Sequence, residues 1–191
     1  MEIRLHGRGG QGGVTCAKIL AEIYARMGKA VQAFGDYAGE RSGAPIRAYA
    51  RVGDGEITNR NKVYDPDHLL VLDPSLLGDA VVSGLKPGGL LLVNTTDTPE
   101  QIAARFPGFR PVTVDATAIA RKHGIGTRSV VIVNTTVTGA FARAAGIPFE
   151  TLALAYEGLG LAGNVAAARD AWDSARIGAP PGADEGPAYT P

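Results

Sequence analysis

A glycine-rich segment near the start of the chain carries the residues whose types and spacing best suit ligand binding. Glycine occupies five of the seven positions 7–13. Gly7, Gly9 and Gly12 satisfy the pattern G-x-G-x-x-G, in which glycine allows a tight turn and close approach of the backbone to a phosphate. The first N–H groups of a following helix would then face the anion. We therefore predict a binding loop made of Gly7, Arg8, Gly9, Gly10, Gln11 and Gly12.

The elements around this loop must place it between a strand and a helix. Alternating apolar residues predict a strand at 2–6, and apolar residues at helical spacing predict a helix at 13–27. Similar patterns predict strands at 29–35, 45–52, 68–73, 88–94 and 110–115, with a GDG turn (53–55) starting a return strand near 56–60. Further helices are predicted within 74–85, at 98–106, at 116–124, over most of 129–146, at 148–159 and at 164–176.

Strands and helices that alternate in this way are typical of an α/β fold. We predict a Rossmann-like, doubly wound, mostly parallel sheet with an inserted β-hairpin and a helical C-terminal end. Residues 1–177 would form one domain. Residues 178–191 are rich in Pro and Gly and cannot bury a core, so we expect an extended tail there.

Composition limits the classes of function. The chain has 191 residues with 19 basic and 19 acidic side chains, which gives no indication of a nucleic-acid or membrane partner. A single cysteine excludes an internal disulfide framework and suits a reducing cytosol, so we expect a cytoplasmic protein. An iron–sulfur cluster needs about four cysteine ligands, and the three histidines lack metal-site spacing. We assign no catalytic residue and no metal ligand to this chain.

Two other interpretations of the glycine loop are open. A stand-alone NAD-binding dehydrogenase would need an acidic residue at the end of the second strand, about 20 residues after the loop. Asp36 lies 24 residues after Gly12, which is late for that role. Alternatively, the loop is a tight turn that binds no ligand, in a subunit with a purely structural role.

Three further motifs, in order along the chain, indicate a family. The segments GRGGQGGVTCAKIL (7–20), GERSGAP (39–45) and VYDPDHLLVLDPSLL (63–77) together resemble the gamma subunit, or gamma domain, of 2-oxoacid:acceptor oxidoreductases. The pyruvate:ferredoxin and 2-oxoglutarate:ferredoxin enzymes belong to that family. VNTTVTGAF (133–141) is similar to a later helical segment of the same family, so the resemblance runs from about residue 2 to residue 176.

The resemblance implies a division of labour between subunits. Enzymes of this family oxidatively decarboxylate a 2-oxoacid to an acyl-CoA. Thiamine diphosphate with Mg²⁺ is expected on the alpha and beta subunits. Iron–sulfur clusters of the 4Fe–4S type are expected on the beta subunit or on a ferredoxin-like delta subunit. Ferredoxin, or a flavin- and NAD-linked chain, would accept the electrons. This chain would help to close the active centre, and its sequence leaves the 2-oxoacid undetermined.

The resemblance also implies a contribution to binding coenzyme A. We expect Arg41 to contact a phosphate, because a guanidinium matches phosphate oxygens, with Ser42 beside it. Arg8 is a second candidate. The alternative for Arg41 is an ion pair with Glu40, Asp36 or a partner chain, and the alternative for Arg8 is a solvated side chain.

Five other residues have a structural interpretation that we favour over a functional one. Asp73 and Asn94 end predicted parallel strands and would cap a helix or bond a loop. Asn134 would be a satisfied polar residue within an apolar stretch. Cys16 would be a buried small residue, and His6 would form a structural hydrogen bond.

Overall fold

The computed structural model describes residues 1–36, 43–127 and 129–182. Its framework is a seven-stranded sheet with the order β2-β3-β1-β4-β5-β6-β7. The strands are β1 (Glu2–Arg8), β2 (Ala30–Asp36), β3 (Pro45–Gly53), β4 (His68–Val71), β5 (Leu90–Asn94), β6 (Arg110–Val114) and β7 (Arg176–Ile177). The helices are α1 (Gly13–Arg26), α2 (Asp79–Val82), α3 (Pro99–Arg105), α4 (Ala116–Lys122), α5 (Asn134–Ala144), α6 (Phe149–Gly158) and α7 (Val165–Ser174).

Five of these strands run in one direction. β1, β4, β5 and β6 pair in parallel, whereas β3 runs antiparallel to both β1 and β2, and β7 runs antiparallel to β6. The carboxyl ends of β1 and β4 therefore meet at the same edge of the sheet. The predicted mostly parallel α/β sheet is confirmed.

The antiparallel insertion differs from the predicted hairpin in one strand. The pair is formed by β2 and β3, and no return strand forms near 56–60. Carbonyl groups of this segment turn towards a buried guanidinium: Arg51 donates to Asn59 O at 3.1 Å and to Asn61 O. A backbone whose carbonyls bond a side chain in this way does not form a strand ladder.

Two apolar layers cover the two faces of the sheet. Ile3 and Leu5 of β1 point to one face, where helices α1, α4, α5, α6 and α7 bury the larger cluster. The other face carries a smaller cluster, in which the strand residues Leu69 and Val71 pack with Leu85, Leu91, Val93, Ile102 and Phe106. Helices on both faces are what a doubly wound sheet requires.

The C-terminal part is helical as predicted, with differences at two boundaries. The stretch 129–146 becomes helical only from Asn134, and Val131 instead forms an isolated bridge with Gly126. The last helix ends at Ser174, and Arg176 continues into β7. The Arg176 side chain donates to Thr96 O at 2.9 Å and to Asp97 O at 2.8 Å, which holds this strand against the sheet edge. Within the described residues, no helix is both long and apolar enough to traverse a bilayer.

Candidate functional site

The glycine loop lies at the carboxyl end of β1, where the chain leaves the sheet and enters α1. The sheet extends to both sides of β1 at this point. Helix α1 connects β1 to β2, which lies beyond β3 on one side, whereas β4 lies on the other side of β1. Open α/β sheets bind ligands at such a switch point. Gly12 precedes the first turn of α1 with φ of 84°, and no side chain of the described residues caps that end.

Close packing or a positive φ explains why glycine occurs at three loop positions, 7, 10 and 12, and at Gly13, the first residue of α1. A β-carbon at Gly7 would lie 3.3 Å from Gln11 Oε1, and one at Gly13 would lie 2.7 Å from Ile46 Cδ1. Gly10 and Gly12 both have positive φ, which favours glycine. The high glycine content is therefore consistent with a ligand but does not require one.

The end of the GERSGAP motif is joined to the loop by the backbone. Gly9 N–H donates to Ala44 O at 2.9 Å, and Gly43 N–H donates to Gly9 O at 3.1 Å. The predicted ligand residues Arg41 and Ser42 lie outside the described residues. Their neighbour Gly43 nevertheless shows that the two motifs meet at one edge of the sheet.

The guanidinium of Arg8 contacts three groups of neighbouring segments. Its Nε lies 3.3 Å from Asp73 Oδ2, its NH2 donates to Ser75 Oγ at 2.9 Å, and its NH1 donates to Gly43 O at 3.1 Å. A role for Arg8 in contacting a phosphate stays a prediction. In this structure the guanidinium holds together the segments that follow β1 and β4 and the one that precedes β3.

A cavity of about 280 Å³ opens beside the glycine loop. It brings together residues far apart in sequence: Arg8, Gly9, Gln11, Gly43, Thr117, Arg121, Ser129, Val130 and Val131. Arg121, in the last turn of α4, forms no ion pair with a carboxylate in residues 1–36, 43–127 and 129–182. Within that part of the chain it is a cation without a carboxylate partner, which suits an anionic ligand.

Sequence reasoning missed Arg121 and Thr117. They follow the loop by more than a hundred residues, and no local motif marks them. A larger cavity, of about 490 Å³, lies at the distant β6–β7 edge between α3 and residues 178–182. Among the described residues its lining has a single ionisable side chain, Glu100, so the smaller cavity is the better anion site.

Residues 2–173 match the sequence profile of a family described as pyruvate ferredoxin/flavodoxin oxidoreductase. The chain belongs to this family. The predicted resemblance is thereby confirmed, as is the prediction that the chain is a subunit of an oxidoreductase.

Named relatives agree with this assignment. The pyruvate/ketoisovalerate oxidoreductases common subunit gamma of Thermococcus litoralis is 45% identical over 150 residues, which cover 77% of this chain and 79% of that protein. The pyruvate synthase subunit PorC of Methanosarcina barkeri is 46% identical over 146 residues, or 76% of this chain and 78% of that protein. The crystal structure of the pyruvate oxidoreductase subunit PORC of Thermotoga maritima superposes with a TM-score of 0.78 at 36% identity, covering 93% of this chain and 97% of that one.

The strand order of this family member does not favour the NAD interpretation. Asp36 ends β2, but β3 separates β2 from β1, so the carboxylate lies two strands away from the glycine loop. Asp36 also pairs with Lys62 at 2.7 Å. In a dinucleotide-binding fold the acidic residue instead reaches the ribose beside the loop.

The other sequence candidates take structural positions. Asn94 is buried and donates to Leu72 O at 2.8 Å and to Thr117 Oγ1 at 2.9 Å, which ties β5 to the start of α4. Asn134 Oδ1 accepts from Thr135 N–H at 2.8 Å.

Two further candidates are buried, and burial decides their ionisation. Burial raises the pKa of the Cys16 thiol. Burial and the nearby Arg4 and Arg47 lower the pKa of His6 to about 4, and its Nε2 has no hydrogen-bond partner. We predicted a structural hydrogen bond for His6, and its side chain forms none that we find among the described residues. No group of three or more His, Cys, Asp or Glu in this part of the chain is placed to hold a metal ion.

Proposed function

We propose that this chain is the gamma subunit of a multi-subunit enzyme that oxidatively decarboxylates a 2-oxoacid to an acyl-CoA, and that it binds part of coenzyme A. The observation that carries this proposal is the cavity beside the glycine loop, which Arg121 lines together with the hydroxyl-bearing Thr117 and Ser129. Coenzyme A carries phosphate groups, and a guanidinium binds phosphate through charge-assisted hydrogen bonds.

The size of the cavity supports partial binding. Its volume of about 280 Å³ is below the range of roughly 300–1,000 Å³ typical of pockets that enclose a whole small ligand. The remainder of coenzyme A would contact partner subunits. The chain would thus form one wall of a shared site.

The redox chemistry would take place on other subunits. The one cysteine of the chain is fully buried, whereas a cluster needs about four cysteine ligands. We assign thiamine diphosphate, Mg²⁺ and the clusters to alpha, beta and, where present, delta subunits in the cytoplasm. The acceptor would be ferredoxin or a flavin- and NAD-linked chain.

The choice of 2-oxoacid would also lie with the partners. The Thermococcus litoralis relative is named as a subunit common to pyruvate and ketoisovalerate oxidoreductases. A gamma subunit shared by two such enzymes does not by itself determine which substrate is used. We propose the same for this chain.

The test is the Michaelis constant for coenzyme A in the assembled complex with Arg121→Met. Loss of a charged hydrogen bond should raise that constant about tenfold, with the constant for the 2-oxoacid unchanged. Arg105→Met is the matched control, because Arg105 is also an exposed arginine near a helix end, on α3. An unchanged constant in an intact Arg121→Met complex would contradict the proposal.

A purely structural role for the loop is the second candidate, because packing or backbone conformation accounts for three of its four glycines. Hydrogen exchange of the assembled complex separates the two. Added coenzyme A should slow exchange of the amides at 9–15 if the loop binds it. It should leave them unaffected if the loop only contacts neighbouring chains.

A further inference from the structure

Asp73 joins the segments that follow two neighbouring parallel strands. Its Oδ1 accepts from Ser75 N–H at 3.0 Å and from Ser75 Oγ at 2.6 Å, in the turn that follows β4. Its Oδ2 accepts from Gln11 Nε2 at 2.9 Å and lies 3.3 Å from Arg8 Nε. One carboxylate oxygen thus faces its own turn, and the other faces the glycine loop.

Gln11 links the carboxylate of Asp73 to the backbone of the loop. Its Oε1 accepts from Arg8 N–H at 2.8 Å, and that contact orients the amide so that its NH₂ group faces Asp73. The backbone N–H of Gln11 donates to Arg8 O at 3.1 Å, and its carbonyl accepts from Val133 N–H at 3.3 Å. Gln11 therefore connects the end of β1, the start of α5 and the carboxylate of Asp73.

All four groups that meet the carboxylate are donors, so the position needs two acceptor oxygens. Burial opposes ionisation of Asp73, but hydrogen bonds from Ser75 and Gln11 and the charge of Arg8 outweigh it and lower the pKa of the carboxyl. Asparagine has the same shape, but its NH₂ group would face donors in either orientation, Gln11 Nε2 on one side or the Ser75 N–H on the other. A side chain of the same shape is therefore not sufficient to accept hydrogen bonds from all four donors.

Two partners of Asp73, Arg8 and Gln11, line the candidate coenzyme A cavity, whereas Asp73 is not one of the described residues that line it. We propose that Asp73 is a positioning residue that fixes the glycine loop in its binding shape through Gln11 and Arg8. This inference rests on the proposed function of the loop. It predicts an effect on the affinity for coenzyme A without direct contact.

The test uses the assembled complex with Asp73→Asn, Gln11→Glu and the double variant. Asp73→Asn should raise the Michaelis constant for coenzyme A about tenfold, the usual effect of losing a charged hydrogen bond, with kcat at saturating coenzyme A within about twofold. Without ligand, it should also speed hydrogen exchange at residues 9–13. The double variant reverses donor and acceptor across the same contact, so without ligand it should return hydrogen exchange at residues 9–13 most of the way to the parent rate, as expected for interacting neighbours.

Asp67→Asn is the matched control. Asp67 lies just before β4 and accepts from Glu2 N–H at 2.6 Å and from Lys86 Nζ at 2.7 Å, at the opposite edge of the sheet. The Asp67→Asn substitution should lower the stability of the chain without changing the Michaelis constant for coenzyme A or the hydrogen exchange of the loop. Equal effects of Asp67→Asn and Asp73→Asn on the Michaelis constant would overturn the inference, as would loop exchange in the double variant that is as fast as in Asp73→Asn alone.

The comparison with Arg121→Met separates this inference from the function on which it rests. A raised Michaelis constant in Arg121→Met together with an unchanged one in Asp73→Asn would overturn the positioning role alone. Unchanged constants in both variants would overturn the proposed coenzyme A site and the positioning role with it.

Discussion

The side-chain amide of Asn134 lies against the backbone of Gly12, so that a β-carbon on Gly12 would come within 2.8 Å of Asn134 Nδ2. Gly12 precedes α1, and Asn134 begins α5. The starts of two helices far apart in sequence therefore meet at the glycine loop. Their contact depends on the absence of a side chain at residue 12.

Gly12→Ala should destabilise the chain more than the backbone conformation alone requires. Left-handed φ costs a non-glycine residue about 1–2 kcal/mol, and the contact with Asn134 adds to that cost. Gly28→Ala is the matched control, because Gly28 has φ of 76° with no atom within 4 Å of its β-carbon position. Equal losses in the free energy of unfolding, measured by chemical denaturation, would show that the Asn134 contact relaxes without cost.

His6 should make stability depend on pH below neutrality. Its pKa is lowered from 6.5 to about 4, by burial first and then by Arg4 and Arg47. Between these values the unfolded chain binds a proton that the folded chain does not, so the free energy of unfolding falls as pH decreases. The loss should be at most about 3 kcal/mol.

His6→Gln provides the comparison for this pH dependence. Urea titrations between pH 4 and 6.5 should give a shallower slope of stability against pH in the variant than in the parent chain. Parallel slopes would mean that His6 binds its proton over the same pH range in the folded and the unfolded chain.

Arg4 should be among the most sensitive positions of the sheet. Its buried guanidinium donates to Tyr64 O at 2.8 Å, to Val81 O at 2.9 Å and to Ser83 O at 2.6 Å. Arg4→Met leaves these carbonyls without their donor, which should cost roughly 2–5 kcal/mol in the free energy of unfolding. Arg105→Met, at a side chain that is 54% exposed, should change it by about 0.5 kcal/mol or less.

Cys16 should be inert in the folded chain. Its side chain is fully buried, and burial raises the pKa of the thiol, so neither access nor the thiolate form favours reaction. An aromatic disulfide reagent should modify it only at the rate of unfolding, and at once in denaturant. Rapid stoichiometric modification of the folded chain would show that α1 separates from the sheet in solution.

Local sequence patterns were sufficient to predict most of the fold. Apolar alternation predicted β1, helical spacing predicted α1, and short apolar runs predicted β4 and β5, which are buried on both faces. The pattern failed near 56–60, where the side chain of Arg51 takes the carbonyls that a strand would pair. It also failed at β7, whose two residues are held by contacts distant in sequence.

The candidate site was predictable only in part, for the same reason. The glycine loop and the strand-end Asp73 are marked by their own sequence context. Arg121 and Thr117 join them only through the packing of α4 beside the loop. Residue types carry no information about such a contact until the strand order is known.

The place of β1 in the sheet has a consequence for biosynthesis. This strand is translated before both of its neighbours, yet it becomes an interior strand with β3 on one side and β4 on the other. Until β3 and β4 have been translated, both edges of β1 lack hydrogen-bond partners, and exposed strand edges recruit other chains. Slowing translation between β1 and β4 should therefore favour aggregation of nascent chains, and chaperones that shield extended segments should counteract it.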